Sequence, residues 1–182
     1  MKFTSLPKLT TERLILKKIE SSDCKTLLFI RTDKTINQFI KRKKTETEDD
    51  IIKFIEKINT GIINSEWLYW SISLKGDEKM IGTICLWNFS KNRKTVEVGY
   101  ELTPDFQKKG IASEALKCVI NFGFNELKLS TVEAFTHKNN KNSQNLLEKN
   151  NFKLNSKRKD KGNDDIMFEI KNPRIIPEKI IL

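Results

Sequence analysis

V-E-V-G-Y-E-L-T-P-D-F-Q-K-K-G-I-A-S-E-A, Val96 to Ala115, is the stretch that decides the fold. Its first seven residues alternate. Val96, Val98, Tyr100 and Leu102 fall on one face of a strand, and Glu97, Gly99 and Glu101 on the other. Thr103-Pro104-Asp105 ends the strand, because proline cannot donate to a ladder. From Ile111 the apolar spacing turns helical, through Ala115, Leu116, Val119, Ile120 and Phe122, and predicts a helix from Ile111 to about Asn125.

Strand, glycine-containing turn and helix make an anion site. The first N–H groups of a helix have no partner within it, and its dipole adds partial positive charge there. Gly110 lets the main chain approach a phosphate, Ala112 leaves the next approach clear, and Lys108 and Lys109 add full charges. Neither the P-loop pattern nor the dinucleotide G-x-G-x-x-G is present. Alone, Gln107-Lys108-Lys109-Gly110-Ile111-Ala112 equally fits a surface turn opening an ordinary helix.

Its surroundings decide between these. Q-x-x-G-x-A, preceded by E-V-G-Y-E-L and followed by S-E-A-L, resembles the acetyl-CoA-binding segment of the GCN5-related N-acetyltransferase (GNAT) superfamily. The wider pattern resembles the branch that acetylates the N-termini of ribosomal proteins. Leu9-Thr-Thr-Glu-Arg-Leu-Ile-Leu16 is similar to that branch's opening strand, and Ile81-Gly82-Thr83-Ile84 to a middle one. Asn140-x-x-Ser143-x-x-Leu146-Leu147-Glu148-Lys149-x-Asn151-Phe152 is similar to its second cofactor motif. Asn151 stands where that motif has glycine, and asparagine is the next most tolerant residue for a left-handed helix end. The resemblance covers about Leu9 to Ile170. It implies an α/β (α+β) fold with a mixed, mostly antiparallel central sheet of about six or seven strands flanked by helices.

Size and composition agree with one domain spanning 1–182, including a C-terminal tail over 171–182. Hydrophobic residues are 37% and charged residues 32%, too apolar for a disordered chain. No apolar run approaches the roughly 20 residues of a membrane span, and no apolar segment follows Met1-Lys2-Phe3. Cys24, Cys85 and Cys118 form no CxxC pair, and there is one histidine. These counts predict a cytoplasmic protein with free thiols and no metal site. The net charge of +10 comes from dispersed lysines with local runs at Lys41–Lys44 and Lys157–Lys161. Neither run is interleaved with aromatics, which argues against a nucleic-acid footprint.

Other elements follow from local signals. A strand is expected over Arg13–Ile19, a helix after Ser21 or Ser22, and a second short helix around Lys34–Ile40. Thr47-x-x-Asp50 reads as a capping-box start, with the helix ending at Gly61. Strands are expected over Trp67–Leu74, Met80–Asn88 and Thr131–Thr136, with a terminal hairpin from Phe152–Leu154 to Asp165–Ile170.

The resemblance implies acetyl transfer from acetyl-CoA to an amine. The main-chain N–H groups of Gln107 to Ala112 would anchor the cofactor. The strand would splay from its neighbour, so that Glu101, Leu102 and Thr103 pair with the pantetheine. The Leu102 N–H is the candidate oxyanion donor. Ser143 is implied as proton donor to the leaving thiolate and Asn140 as a cofactor contact. For the base, the residues themselves offer Glu97 or Glu101, on one strand face with Gly99 between them. Tyr100 reads as core and His137 as a surface or loop residue. The acceptor stays open between a protein N-terminus and a small amine (polyamine, aminoglycoside or amino-acid derivative). Glu46, Glu48, Asp49 and Asp50 offer local acidity for a cationic one. A basic acyl-CoA- or ribosome-binding protein without turnover is the rival, and monomer and homodimer are both open.

Overall fold

The computed structural model describes residues 5–42, 47–159 and 164–174. Parts of the two lysine runs, Glu46 and most of the tail lie outside them. Eight strands form one sheet in the order β1-β2-β3-β4-β5-β6-β8-β7, one or two more than expected. They are β1 (Leu9–Thr10), β2 (Leu14–Lys18), β3 (Leu68–Leu74), β4 (Met80–Trp87), β5 (Thr95–Leu102), β6 (Thr131–His137), β7 (Lys153–Lys159) and β8 (Asp165–Lys171). Every neighbouring pair is antiparallel except β5 with β6. The helices are α1 (Cys24–Thr32), α2 (Glu48–Ile63), α3 (Ile111–Asn125) and α4 (Lys141–Lys149).

Each sheet face carries its own core. One gathers Leu14, Trp70, Val96, Val98, Leu116 and Val119 beneath α3, and the other gathers Ile19, Leu27, Ile51, Ile55 and Tyr69 beneath α1 and α2. The Trp70 ring is fully buried. Its indole N–H donates to the Pro7 carbonyl at 2.8 Å, which satisfies its only polar atom.

Two of the local signals at helix ends hold, at Thr47–Asp50 and at Asn151. Thr47 and Asp50 form the reciprocal capping box of α2. The Asn140 side chain caps α4 by accepting from the Ser143 N–H. Asn151 takes the left-handed conformation at φ 66°.

Two expectations are corrected. Residues 34–39 form consecutive turns and no helix. The Asn37 N–H donates to the Asp33 carbonyl, but the bonds after it close as separate turns; Asn37 Nδ2 donates to the Ile30 and Asp33 carbonyls, and Asp33 Oδ1 accepts from the Ile36 N–H, which ties the turns to the end of α1. Gly61 does not end α2, which runs two residues further. The Trp67 ring lies against Gly61, and a Cβ there would sit 2.1 Å from Trp67 Cζ2. Gly61→Ala should therefore push the indole off the helix and cost about 1–3 kcal/mol. Urea unfolding reads this, and an unchanged midpoint would mean that the ring moves freely.

Candidate active site

β5 and β6 are paired over three rungs, Thr95↔Thr131, Val96↔Val132 and Glu97↔Glu133. Past Glu97 the two strands part, while β5 stays paired to β4 as far as Leu102 and β6 to β8 as far as His137. A wedge opens between residues 98–102 and residues 134–137. Both strands run toward its wide end, and a helix follows each. The N-termini of α3 and α4 therefore flank one opening at the C-terminal ends of a parallel pair. Such an end collects ligands, because two sets of unpaired helix N–H groups and two dipoles face it.

The ladder fixes which amides face the wedge. The Thr103 N–H donates to the Ile81 carbonyl at 3.0 Å. N–H groups alternate sides along a strand, so those of Glu101 and Gly99 also point at β4. Those of Tyr100 and Leu102 point into the wedge. Leu102 thus keeps its main-chain donor for a ligand, whereas Thr103 and Glu101 direct theirs elsewhere. Thr103 is further engaged: its hydroxyl donates to Ile81 O and its carbonyl accepts from the Phe106 N–H. The Gln107 side chain donates to the Leu102 carbonyl at 2.9 Å, which ties the turn to the strand end.

The turn itself is open. Gly110 adopts φ 78° and Lys108 φ 58°, and no side chain caps α3. Lys108, Lys109 and Gly110 are exposed, Gln107 and Ala112 are half-buried, and Ile111 is buried. The turn is braced from behind. Arg13 Nη1 donates to the Lys109 carbonyl at 3.2 Å, and Arg13 Nε meets Glu114 Oε2 at 2.6 Å. Glu114 Oε1 accepts from the Arg13 N–H and the Thr11 hydroxyl. Burial pushes the Glu114 carboxyl up, but the Thr11 and Arg13 hydrogen bonds and the Arg13 charge outweigh it and hold the pKa below its usual 4.5. The lowered pKa makes this contribution complete above that value and lost as the pH falls through the folded one. Glu114→Gln should lower the melting temperature at neutral pH, and the gap from wild type should close below about pH 4. A gap that persists in acid would assign the loss to packing.

The candidate groups lie on both faces of β5. On the α3 face, the Tyr100 hydroxyl and the Ser143 hydroxyl are 2.9 Å apart, bridging the wedge from β5 to α4. Burial pushes the Tyr100 phenol up to about 12, against a smaller opposing effect of the Ser143 bond, so it carries its proton at neutral pH. Tyr100 packs against the core, as its shared face with Val98 predicts, and it also meets a partner 43 residues away that the alternation does not reveal.

On the other face, Glu97 stands at the apex, where pairing stops, and accepts from the Asn88 side-chain amide. Gly99 follows; a Cβ there would lie 3.2 Å from Cys85 Sγ and 3.9 Å from Trp87 Nε1. These two side chains floor the site beside Gly99. Burial pushes the Cys85 thiol up to about 12, which leaves no thiolate for covalent chemistry. Glu101 is ion-paired with Arg42 through both of its oxygens. Two residues of the segment between α1 and α2 thus reach both edges of the wedge: Arg42 holds β5, and the Phe39 ring stacks on His137 of β6 at 5.2 Å. His137 is therefore a packed strand end, with Nδ1 accepting from the Asn139 N–H.

Among the described residues no three His, Cys, Asp or Glu side chains gather as metal ligands, and no helix is long and apolar enough to cross a membrane.

A sheet split at a parallel pair, with an open turn and helix N-terminus at the split, can receive an extended ligand that carries a phosphate. The model of the acetyltransferase (GNAT) domain matches residues 13–153, and the chain belongs to that family of acetyl-transferring enzymes. It is 27% identical over 146 residues to the uncharacterized N-acetyltransferase YoaA of Bacillus subtilis, covering 80% of this chain and 82% of that one. The ribosomal-protein-S5-alanine acetyltransferase of Vibrio fischeri superposes with a TM-score of 0.78 at 21% identity, over 94% of this chain and all of the other. RimL, a ribosomal L7/L12 alpha-N-protein acetyltransferase solved in complex with coenzyme A, gives 0.79 at 16% identity, over 91% and 98%. Ribosomal-protein acetyltransferases are thus among the fold's neighbours.

Proposed function

We propose that the protein binds acetyl-CoA in the wedge and transfers the acetyl group directly to a primary amine. The observation that carries this reading is the three-rung pairing of β5 with β6, which leaves the Tyr100 and Leu102 amides facing a gap. An extended pantetheine completes such an edge as an added strand. The pyrophosphate rests on the open turn from Gln107 to Ala112, with Lys108 and Lys109 alongside. Asn140 stays at the cap of α4 and orders that rim of the wedge. RimL, a protein of the same fold, was solved in complex with coenzyme A, which supports coenzyme A as the kind of ligand bound.

Glu97 serves as base, taking a proton from the acceptor ammonium directly or through water. It lies at the apex on the face opposite α3, and its rival Glu101 has both oxygens committed to Arg42. The amine nitrogen attacks the thioester carbon, and the Leu102 N–H receives the developing oxyanion. As the C–S bond breaks, Ser143 passes a proton to the thiolate and is resupplied by Tyr100. A cytoplasmic location suits the three free cysteines. The ribosomal acetyltransferases among the fold neighbours favour a protein N-terminal amine as acceptor.

The experiment is a free-thiol assay with acetyl-CoA and a panel of peptides and small amines. Thiol release that depends on an amine is expected. A melting temperature raised by acetyl-CoA with no thiol released would replace the transferase with a binding protein.

A further inference from the structure

Resting on the transfer reading, we infer that Trp87 determines acceptor specificity: its indole N–H donates to a carbonyl oxygen beside the reacting amine, so the acceptor is an α-amino amide such as a peptide N-terminus. The chain has three tryptophans, and two are engaged by the fold. The Trp70 indole donates to the Pro7 carbonyl at 2.8 Å, and the Trp67 indole to the Ile58 carbonyl at 3.0 Å. Trp87 differs. It belongs to neither core, it is 47% exposed, and its N–H meets no acceptor among the described residues.

The ladder puts this ring at the reacting end of the acceptor face. Trp87 is the last residue of β4 and pairs with Glu97 of β5. Opposed side chains share a face, with Cβ atoms about 4.5–5.5 Å apart, so the indole stands beside the base and away from α3. Asn88 follows at φ 50° and gives its side-chain amide to the same carboxylate. Gly99, the next β5 residue on this face, has no side chain to cover the ring. A Cβ there would lie 3.9 Å from Trp87 Nε1, so the nitrogen-bearing edge of the indole is the one that leans across β5. Cys85 lies beneath it, and burial pushes that thiol up to about 12, so the floor is uncharged at neutral pH.

This pairing of groups selects the occupant. Glu97 takes a proton, and an indole N–H only donates. The two together fit a ligand that carries an amine and a hydrogen-bond acceptor on one carbon. An α-amino amide has both. A polyamine offers ammonium groups, which are donors and cannot accept from the indole.

The test compares alaninamide, alaninol and isopropylamine in the thiol assay. Each carries its amine on a carbon that also bears a methyl group, and they differ in the remaining substituent: a carboxamide, a hydroxymethyl or a second methyl. Their basicities differ, so each is read as the ratio of Trp87→Phe to wild type. The phenylalanine keeps an aromatic ring and loses the N–H. It should lower kcat/KM for alaninamide about fivefold, mainly through KM, the order expected for one hydrogen bond. Isopropylamine should change less than twofold. An equal loss for all three acceptors would make Trp87 a packing element, and a loss greatest for alaninol would give the N–H to a hydroxyl; either overturns the inference. NMR of the indole N–H groups needs no turnover. The Trp87 signal, assigned by its absence from Trp87→Phe, should move downfield when alaninamide is added to the CoA-loaded protein and stay in place with isopropylamine. The Trp67 and Trp70 signals should not follow it. A Trp87 signal unmoved up to the solubility limit of alaninamide overturns the contact. A downfield shift with no thiol released from any acceptor would end the transfer reading and leave the contact standing.

Discussion

Gly110→Glu is expected to weaken acetyl-CoA binding by about a hundredfold, the largest loss of affinity foreseen from one substitution. Two effects add. A side chain at φ 78° is strained by about 1 kcal/mol, and a carboxylate at the mouth of α3 repels phosphate for about 1–2 kcal/mol more. Each 1.4 kcal/mol is a factor of ten. The empty turn can relax out of the left-handed conformation and the same carboxylate favours the helix N-terminus, so the unliganded fold should lose little and the strain falls on the bound state. Gly110→Ala separates the terms. A Cβ at this position is 3.4 Å from Arg13 Nη2, an ordinary contact, so alanine brings the strain without the charge. It should cost about tenfold or less. Isothermal titration of acetyl-CoA reads both, and a glutamate variant within threefold of wild type would remove the pyrophosphate from this turn.

Glu97→Gln is expected to lower kcat by about 10²–10⁴ while leaving the dissociation constant of acetyl-CoA unchanged, the range for loss of a positioned base. The amide keeps the shape and still accepts a hydrogen bond, but it cannot take a proton. The acid limb of the pH–rate profile should disappear with it. Glu101→Gln should cost at least tenfold less, because that carboxylate is held by Arg42. A reversed order, with Glu101→Gln the more damaging and Glu97→Gln nearly silent, would move the base to Glu101.

The features legible in the sequence were those set by nearby residues. Alternation from Val96 to Leu102, the turn at Gly110, the capping pair Thr47–Asp50 and the left-handed Asn151 all depend on neighbours within a few positions. What escaped depends on distance along the chain. The alternation at Tyr100 does not reveal Ser143, which α4 brings to it. Gly61 looked like a helix stop because the Trp67 ring against it comes from beyond the end of α2, just before β3. Arg42 sat in a lysine-rich run that reads as solvated surface, and its partner is 59 residues away. Thr103 seemed available because only the β4 register reveals that Ile81 takes its N–H. The helix expected over residues 34–40 failed through Asn37 and Asp33, whose short polar side chains favour turns as readily as caps.

Three rungs of pairing have a mechanical consequence. In the empty protein, β1 through β5 and the β6-β8-β7 trio are two ribbons stitched at a single short seam, with buried side chains beneath as the remaining cement. The cofactor then acts as a rivet. The amides of Tyr100 and Leu102, which face the gap, should trade their hydrogens with solvent quickly in its absence and slow together once it slides home. The same seam would be where heat first pries the sheet apart.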